Sequence, residues 1–264
     1  MMAGKLAGIM RIPTHRPPLH LARRQRGAAL AESAAALGVV LLMGLAAMEA
    51  MHWQLMRQLA YAALTEAARA GATGHAHPSV IAQAFEAALL PRYASPGGTD
   101  EAMQTLRSAL ARTAASAGMA PWRIVVARPG AQAYADFAQR DLKLPAAAAA
   151  LPAMRNEYQA EQHAGNIARG LPDGKGPRSG LTIFQANTLQ LRLRYLLEPL
   201  SPPARLLLQA LAGLPGPDGG LCARRAWAAG VLPLRIELTM DMQSHPVLWP
   251  DGLHSQVGTT EDAC

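Results

Sequence analysis

The sequence predicts an α+β protein. It has a long N-terminal helix, transmembrane in its first half and amphipathic in its second, followed by a helical domain with a small antiparallel sheet. Half of the 264 residues are hydrophobic but only 5% are aromatic, and this alanine- and leucine-rich content favours helix. A long apolar stretch follows a basic N-terminus. Three later stretches alternate apolar and polar residues with a period of two, which is typical of strands with one wet face.

The positive charge of the chain is concentrated at its N-terminus. The formal net charge is +7. Six basic and no acidic residues precede residue 27, namely Lys5, Arg11, Arg16, Arg23, Arg24 and Arg26. The basic character therefore belongs to a leader over residues 1–27. No cluster of basic and aromatic residues indicates a nucleic-acid surface, so we expect no nucleic-acid partner.

The first predicted element is one continuous helix over residues 28–71. Its apolar block, from Ala28 to Met48, is interrupted only by Glu32, and about 20 residues of this kind suffice to cross the hydrocarbon core of a bilayer. We place the transmembrane half at about residues 28–50. The basic leader favours a cytoplasmic N-terminus, because basic flanks stay inside. The helical pattern then continues without proline to Gly71 and Gly74, which are helix stop signals.

Glu32 is the unexpected residue of this helix, since an acid at the bilayer centre costs about 2.5–3.5 kcal/mol on insertion scales. One interpretation is that Glu32 marks the aqueous boundary and that the span begins at Ser33. That interpretation does not explain why Gly27 follows a run of basic residues and precedes the acid by five positions.

The stretch "RRQRG-AALAE" resembles the cleavage site of type IV prepilins and related pseudopilins. These combine a basic leader, a glycine and a hydrophobic helix with Glu at the fifth mature position. The wider stretch over residues 23–71 resembles the TadE-like pseudopilins of tight-adherence (Flp) pilus systems. Flp-type pilins commonly carry Tyr directly after the acid, whereas this chain has Ser33.

The resemblance implies a role for each of these residues. Gly27 would be the last leader residue, cut by a prepilin peptidase, and cleavage would free the α-amine of Ala28. Glu32 would approach such an amine, from its own or a neighbouring subunit, and set the register of assembly. The implied partners are the peptidase, other pilins or pseudopilins packed through the N-terminal helix, and the bacterial inner membrane.

The resemblance also implies a pilin-like fold with a single membrane pass, with the bulk of the chain in the periplasm or associated with a filament. It implies a structural role in pilus assembly and cell adhesion. An unprocessed, single-pass anchored periplasmic binding or scaffold module is the alternative. A secretory signal peptide is a further one, but its leader would be unusually long and no clean A-x-A site follows the apolar run.

The exported portion, residues 75–264, predicts helices over 78–93 and 99–118, with Thr99 capping the second. Strands are predicted within 122–128, 188–199 and 232–244. If the last two strands pair, Arg192 or Arg194 lies opposite Glu237 or Asp241. The tail from Trp249 is expected to be loosely held unless Cys264 anchors it.

No stretch predicts catalysis, so we expect no enzyme activity, no cofactor and no metal. His75 and His77 stand two apart without a nearby acidic or thiol partner, which predicts an ordinary surface loop. "GLPDGKGPRSG" lacks the spacing of a phosphate-binding loop. The two cysteines, Cys222 and Cys264, are either a disulfide pair formed in an oxidising compartment or two unrelated thiols.

Overall fold

A computed structural model of the protein describes residues 22–213 and 220–259, with side chains from residue 29. Within those residues the helices are α1 (Ala22–Thr73), α2 (Pro78–Leu89), α3 (Gly98–Ala117), α4 (Ala131–Phe137), α5 (Gln159–Ala168), α6 (Ile183–Ala186), α7 (Pro202–Leu211) and α8 (Leu221–Ala228). The strands are β1 (Trp122–Arg128), β2 (Ala138–Gln139), β3 (Ala153–Met154), β4 (Thr188–Leu197), β5 (Leu232–Asp241) and β6 (Val257–Gly258). The fold is mixed α and β, with one long apolar N-terminal helix and a small sheet, as predicted.

The chain divides into two compact units within α1, the first ending at Ala47 and the second beginning at Met48. From Ala29 to Ala47, α1 carries apolar side chains on all sides, apart from Glu32 and Ser33. The part of α1 from Ala29 to Thr73 is long and apolar enough to cross a membrane by length and composition, with a mean hydropathy of 2.0 in its most apolar window.

The second unit is built on a four-stranded sheet with the order β5-β4-β1-β6. β4 pairs antiparallel with both β5 and β1, while β6 pairs parallel with β1. The predicted pairing of the last two long strands is confirmed, and Arg192 lies opposite Glu237. Their side chains form an ion pair at 3.2 Å. β2 and β3 form a separate two-stranded sheet.

The main core of the second unit lies between one face of the sheet and the helices. The alternation predicted for β1 and β4 is confirmed, because their inward residues are buried together with residues of α1, α2 and α3. The contributing strand residues include Trp122, Ile124, Val126, Leu189, Leu191, Leu193 and Tyr195. Alternate residues of a strand point to opposite faces, so Arg123, Arg192 and Arg194 lie on the other face.

Small residues let α1 pack closely within this core. Ala60, Ala63 and Ala67 are fully buried. A Cβ added at Gly71 would lie 2.9 Å from the Ile81 side chain and 3.0 Å from that of Leu189. Gly71 was predicted as a stop signal, but α1 continues through it to Thr73. Gly71 therefore permits close packing, and the helix ends immediately before Gly74.

The structure of the second unit differs from the sequence predictions at Thr99 and in the C-terminal tail. Thr99 does not cap α3, because the helix begins one residue earlier with Gly97 as its N-cap, and the Glu101 carboxylate accepts the Gly97 N–H at 2.9 Å. The tail from Trp249 is not loosely held as far as Thr259, because β6 pairs with β1 and buries Val257. Residues 260–264 lie outside the described residues.

Candidate functional site

The first unit exposes a continuous apolar surface. Every side chain from Ala29 to Ala47 is exposed except Leu45, which is partly exposed. Leu30 is 73% exposed and Met43 is 67% exposed. Each Å² of apolar surface in water is unfavourable by about 25 cal/mol, and a helix that is apolar on all sides is stable when buried in a protein core or in a membrane. This surface therefore needs an apolar environment that its own unit does not supply.

Glu32 is the acid within this surface. Its side chain is exposed, and none of the described residues forms a hydrogen bond or ion pair with its carboxylate. Gly27 and Ala28 lie in the backbone of α1, but the side chains of residues 22–28 are outside the described set.

Glu49 stands at the other end of the uncharged stretch and has the opposite environment. It is only 4% exposed. Its Oε1 accepts hydrogen bonds from Trp53 Nε1 at 2.6 Å and from Leu200 N at 3.1 Å. Its Oε2 accepts the N–H of Ser201 at 3.1 Å and the hydroxyl of Ser201 at 3.0 Å. This carboxylate thus joins α1 to the residues that precede α7.

Ser201 makes the Glu49 junction a helix cap as well. It is the N-cap of α7, and its Oγ accepts the N–H of Ala204 at 3.4 Å. Two prolines follow it at the first positions of the helix, where a missing N–H is harmless. Sequence reasoning missed this junction. Ser before Pro-Pro was a signal for the cap, but nothing in the sequence connected it with Glu49.

Exposed leucines lie on the connection between β4 and β5. β4 ends at Leu197, which pairs with Leu232 at the start of β5, so α7 and α8 both belong to the connection at this end of the sheet. Its exposed apolar side chains are Leu200 (54%), Leu206 (64%), Leu207 (58%), Leu211 (37%) and Leu221 (74%). The connection that contains Ser201, the partner of Glu49, therefore also exposes apolar side chains.

A polar cleft of about 470 Å³ lies on the face of the sheet opposite the main core. Its charged lining residues are Arg123, Arg192, Arg194, Arg235 and Glu237. Cys222, at the start of α8, lies on its wall. Cys222 is in a disulfide bond; Cys264, the other cysteine of the sequence, lies outside the described residues. Sequence reasoning placed several of these arginines on a wet face but did not predict that they line a cleft.

The turn after α1 is bound by the segment that follows β5, so the prediction of an ordinary surface loop for His75 and His77 is wrong. His75 N donates to Ser244 Oγ at 2.9 Å, and Trp249 Nε1 donates to the His75 carbonyl at 2.9 Å. The His77 ring contacts the Trp249 ring edge-to-face at 4.2 Å, and its Nδ1 accepts the N–H of Ser79 at the start of α2. These contacts therefore fix the conformation of the turn and attach it to the segment after β5.

Two histidines near this turn, His77 and His245, have a pKa below the ordinary 6.5; the His245 carbonyl is hydrogen-bonded to His75 Nδ1 at 2.9 Å. Burial lowers the pKa of His77. Burial also lowers the pKa of His245, helped by the positive charges of His75 and Arg155 and opposed by Glu157. Among the described residues, no group of three or more His, Cys, Asp or Glu side chains is arranged to hold a metal ion.

The described residues contain one helix that is able to span a membrane by length and composition, and it continues into an α+β unit. Comparison of the chain with protein-family models, with curated proteins and with solved structures gives no significant match. The function is therefore inferred from the residues themselves.

Proposed function

We propose that the protein is a minor pseudopilin-like component in the assembly of a tight-adherence (Flp) pilus, processed after Gly27 by a prepilin peptidase. One observation carries the proposal. The exposed apolar stretch of α1 contains a single carboxylate, Glu32, at the fifth position after Gly27. The proposal rests on the prepilin-like pattern of the sequence together with the environment of this stretch.

The bilayer is the environment that the stretch requires before assembly. The 17 residues from Glu32 to Glu49 rise by about 25 Å at 1.5 Å per residue, close to the hydrocarbon thickness of about 30 Å. We place the N-terminus in the bacterial cytoplasm and residues after about 50 in the periplasm.

Assembly then supplies a partner for Glu32. After cleavage, the positive α-amine of Ala28 lies four residues before Glu32, and residues at i and i+4 are neighbours on a helix surface. A carboxylate in an apolar environment is tolerated when it is paired. The amine of a neighbouring pilin or pseudopilin offers the same pairing, which would fix the register between subunits. The role is structural, so it requires no enzyme activity and no cofactor.

Intact mass of the membrane-extracted protein tests the processing step. When the full chain is co-expressed with a prepilin peptidase, we expect loss of residues 1–27 and a new N-terminus at Ala28. Gly27→Leu should abolish this loss. The matched control is Gly38→Ala in the same helix, where an added Cβ has nothing within 4 Å, and this variant should be processed normally.

Glu32→Gln tests the assembly step separately. It keeps the size of the side chain but removes its charge, so we expect normal processing and a loss of cross-linking to neighbouring subunits. Ser33→Ala is the control, since Ser33 only donates to the Ala29 carbonyl of its own helix. Normal assembly of Glu32→Gln would contradict the proposed role of the carboxylate.

The alternative is a single-pass anchor that is never processed, with a periplasmic binding or scaffold unit. One observation favours it: the second unit closes its main core and bonds Glu49 within one chain. Such a unit needs no neighbour to fold. An intact N-terminus in the presence of an active peptidase would favour this alternative.

A further inference from the structure

The exposed surface of α7 is apolar along most of its length. At about 3.6 residues per turn, five exposed residues of this helix fall within an arc of about 140°. The members of this apolar arc are Pro203, Leu206, Leu207, Ala210 and Leu211. The buried Leu208 and the exposed Arg205 and Gln209 fall outside it. A helix with one packed side, one exposed apolar side and a polar edge is typical of a segment that rests on an apolar surface.

The start of α7 is bonded to the residue at which the uncharged stretch of α1 ends. Glu49 directly follows Met48, the last residue of that stretch. Its carboxylate accepts the N–H groups of Leu200 and Ser201, both at 3.1 Å, and Ser201 is the N-cap of α7. Trp53 also donates to this carboxylate, and tryptophan is enriched at the boundary between membrane and water. When the stretch crosses a bilayer, α7 therefore begins at that boundary.

The apolar arc begins within reach of the interfacial layer of such a bilayer. Leu206 and Leu207 follow Ser201 by five and six residues, which is an axial rise of about 8–9 Å. The polar layer on each side of the hydrocarbon core is about 5–8 Å thick, and an interfacial helix buries its apolar face about 5–10 Å into this boundary. Leu200, before the cap, and Leu221, at the start of α8, are exposed as well. A bilayer can therefore cover leucines that the second unit leaves in water.

The charges beside the arc favour an anionic lipid surface. Arg205 of α7 and Arg224 of α8 are exposed, and neither helix contains an acid. Each basic residue near an anionic leaflet strengthens binding by about fivefold. Leucines on one side and arginines beside them are typical of helices that lie on membranes. An apolar protein groove does not select for this charge bias, so the observations favour lipid as the occupant.

We propose that α7, with Leu200 and Leu221 beside it, is a membrane-surface contact that lies in the headgroup layer of the leaflet at which the apolar stretch of α1 ends. Phospholipid of that leaflet covers the apolar arc, and anionic headgroups lie at Arg205 and Arg224. The contact attaches the second unit to the bilayer at a second place, in addition to α1. The inference rests on the membrane span of α1, which the proposed pilus function and its alternative share, and it does not depend on cleavage after Gly27.

Photocrosslinking of the full chain in phospholipid vesicles tests the contact. The photoreactive residue p-benzoyl-phenylalanine replaces Leu207, and mass spectrometry identifies the partner to which it is joined. The vesicles consist of phosphatidylcholine alone or of an equal mixture with anionic phosphatidylglycerol. We expect crosslinks to phospholipid, with a yield that is about fivefold or more higher in the anionic vesicles because of the two arginines.

Two positions supply the controls. Phe184 is exposed but lies before β4, whereas α7 follows it, so the ten residues of this strand separate the two positions by about 30 Å. The photoreactive residue at Phe184 should give no lipid crosslinks. Leu42, which is exposed within the uncharged stretch, is the positive control for insertion and should give them in both kinds of vesicle.

A double variant tests the apolar arc itself. Leu206→Gln/Leu207→Gln removes two apolar side chains from the exposed side and keeps a high helix propensity, so the core of the second unit is unaffected. Crosslinking from Leu211 to phospholipid should fall by about tenfold, because burial of two leucines is lost. Ile167→Gln/Phe184→Gln removes two exposed apolar side chains of α5 and α6 and should leave the yield from Leu211 unchanged.

The outcomes separate this inference from the pilus proposal. Crosslinks from Leu207 to a protein, including a second copy of the chain, in place of lipid would overturn it, as would lipid crosslinks from Leu42 but none from Leu207. Absence of lipid crosslinks from Leu42 as well would overturn the span and the surface contact together. Processing after Gly27 is measured separately by intact mass, so its failure leaves the crosslinking result unchanged.

Discussion

The two stretches of α1, residues 29–47 and 48–73, have similar alanine- and leucine-rich compositions but opposite environments. The first has no fully buried side chain, while the second buries Met56, Leu64 and several alanines in the main core. The difference follows from the polar residues. Arg57, Glu66 and Arg69 leave the second stretch one apolar stripe, which is typical of a helix on a protein core. The first stretch has no such stripe because it is apolar on all sides.

The two acids at the ends of the uncharged stretch extend this comparison. Glu32 has no partner among the described residues, whereas Glu49 accepts four hydrogen bonds. An acid is compatible with a helix of this kind either when its own chain satisfies it or when another molecule does. The comparison therefore separates an acid that holds the fold of the second unit from one whose side chain is exposed.

The largest expected effect tests these two acids. Glu49→Ala removes the acceptor of the hydrogen bonds from Trp53, Leu200 and the buried Ser201, so we expect the free energy of unfolding of the second unit to fall by about 3 kcal/mol. Urea denaturation of the full chain in detergent, followed by tryptophan fluorescence, measures it. Glu32→Ala is the control and should leave the unfolding midpoint unchanged. Equal midpoints for both variants would remove the distinction between the acids.

The next largest expected effect compares alanine-to-leucine substitutions in the two stretches of α1. Ala67 is fully buried, and Ala67→Leu should lower the free energy of unfolding by about 2 kcal/mol through overpacking. Ala46 is exposed in the first stretch, so Ala46→Leu should change it by less than about 0.5 kcal/mol. The same urea titration compares them. A large loss for Ala46→Leu would show that the first stretch packs against protein.

A smaller expected effect compares the thermal stability of glycine-to-alanine substitutions in the two stretches of α1. Gly71→Ala gains helix propensity of about 1 kcal/mol but pushes a methyl group against Ile81 and Leu189, so we expect a net loss of about 1 kcal/mol. Gly44→Ala meets nothing within 4 Å and should raise helix stability. Thermal unfolding by circular dichroism would measure both changes, and stabilisation by Gly71→Ala would show that α1 does not approach the sheet closely.

The smallest expected effect is a dependence of the melting temperature on pH, which arises from His77 and His245. The folded-state pKa of His77 and His245 lies below the ordinary 6.5, so the unfolded chain binds protons more readily. Their contribution to stability is complete above about pH 6.5 and decreases as the pH falls through the folded-state pKa values. We expect the melting temperature to drop by a few degrees between about pH 7.5 and 5.5, since about 1 kcal/mol corresponds to about 2–4 °C in a chain of this size.

His77→Asn identifies the origin of that pH dependence. Asparagine keeps an acceptor for the Ser79 N–H but does not titrate. The variant should therefore show a weaker dependence of melting temperature on pH. An unchanged dependence would assign the effect to other groups.

The sequence predicted those features whose signal is local. Period-two alternation gave β1, β4 and β5, and the facing pair of Arg192 and Glu237 followed from pairing the last two long strands. The apolar stretch around Glu32 could also be predicted, because it is a run of adjacent residues in the sequence. The role of Glu49 was not predictable, because its partners Leu200 and Ser201 are 151 and 152 residues away. No local pattern encodes such a contact.

The errors have a related cause. Gly71 is a stop signal by composition, but tertiary packing extends the helix through it to Thr73. The segment from Trp249 to Thr259 is rich in glycine and polar residues, which predicts a loose tail, yet β1 supplies hydrogen bonds that hold it as an edge strand. In both places a distant element overrides a local preference. The arginine-lined cleft likewise required the register of three strands.

The position of β5 at one edge of the sheet has a consequence for copies crowded together. An edge strand of ten residues is a template for strand addition by another chain. Here Pro233 removes a backbone donor, and the charges of Arg235, Glu237 and Asp241 disfavour an aligned second copy. Contacts between copies through this edge are thereby discouraged.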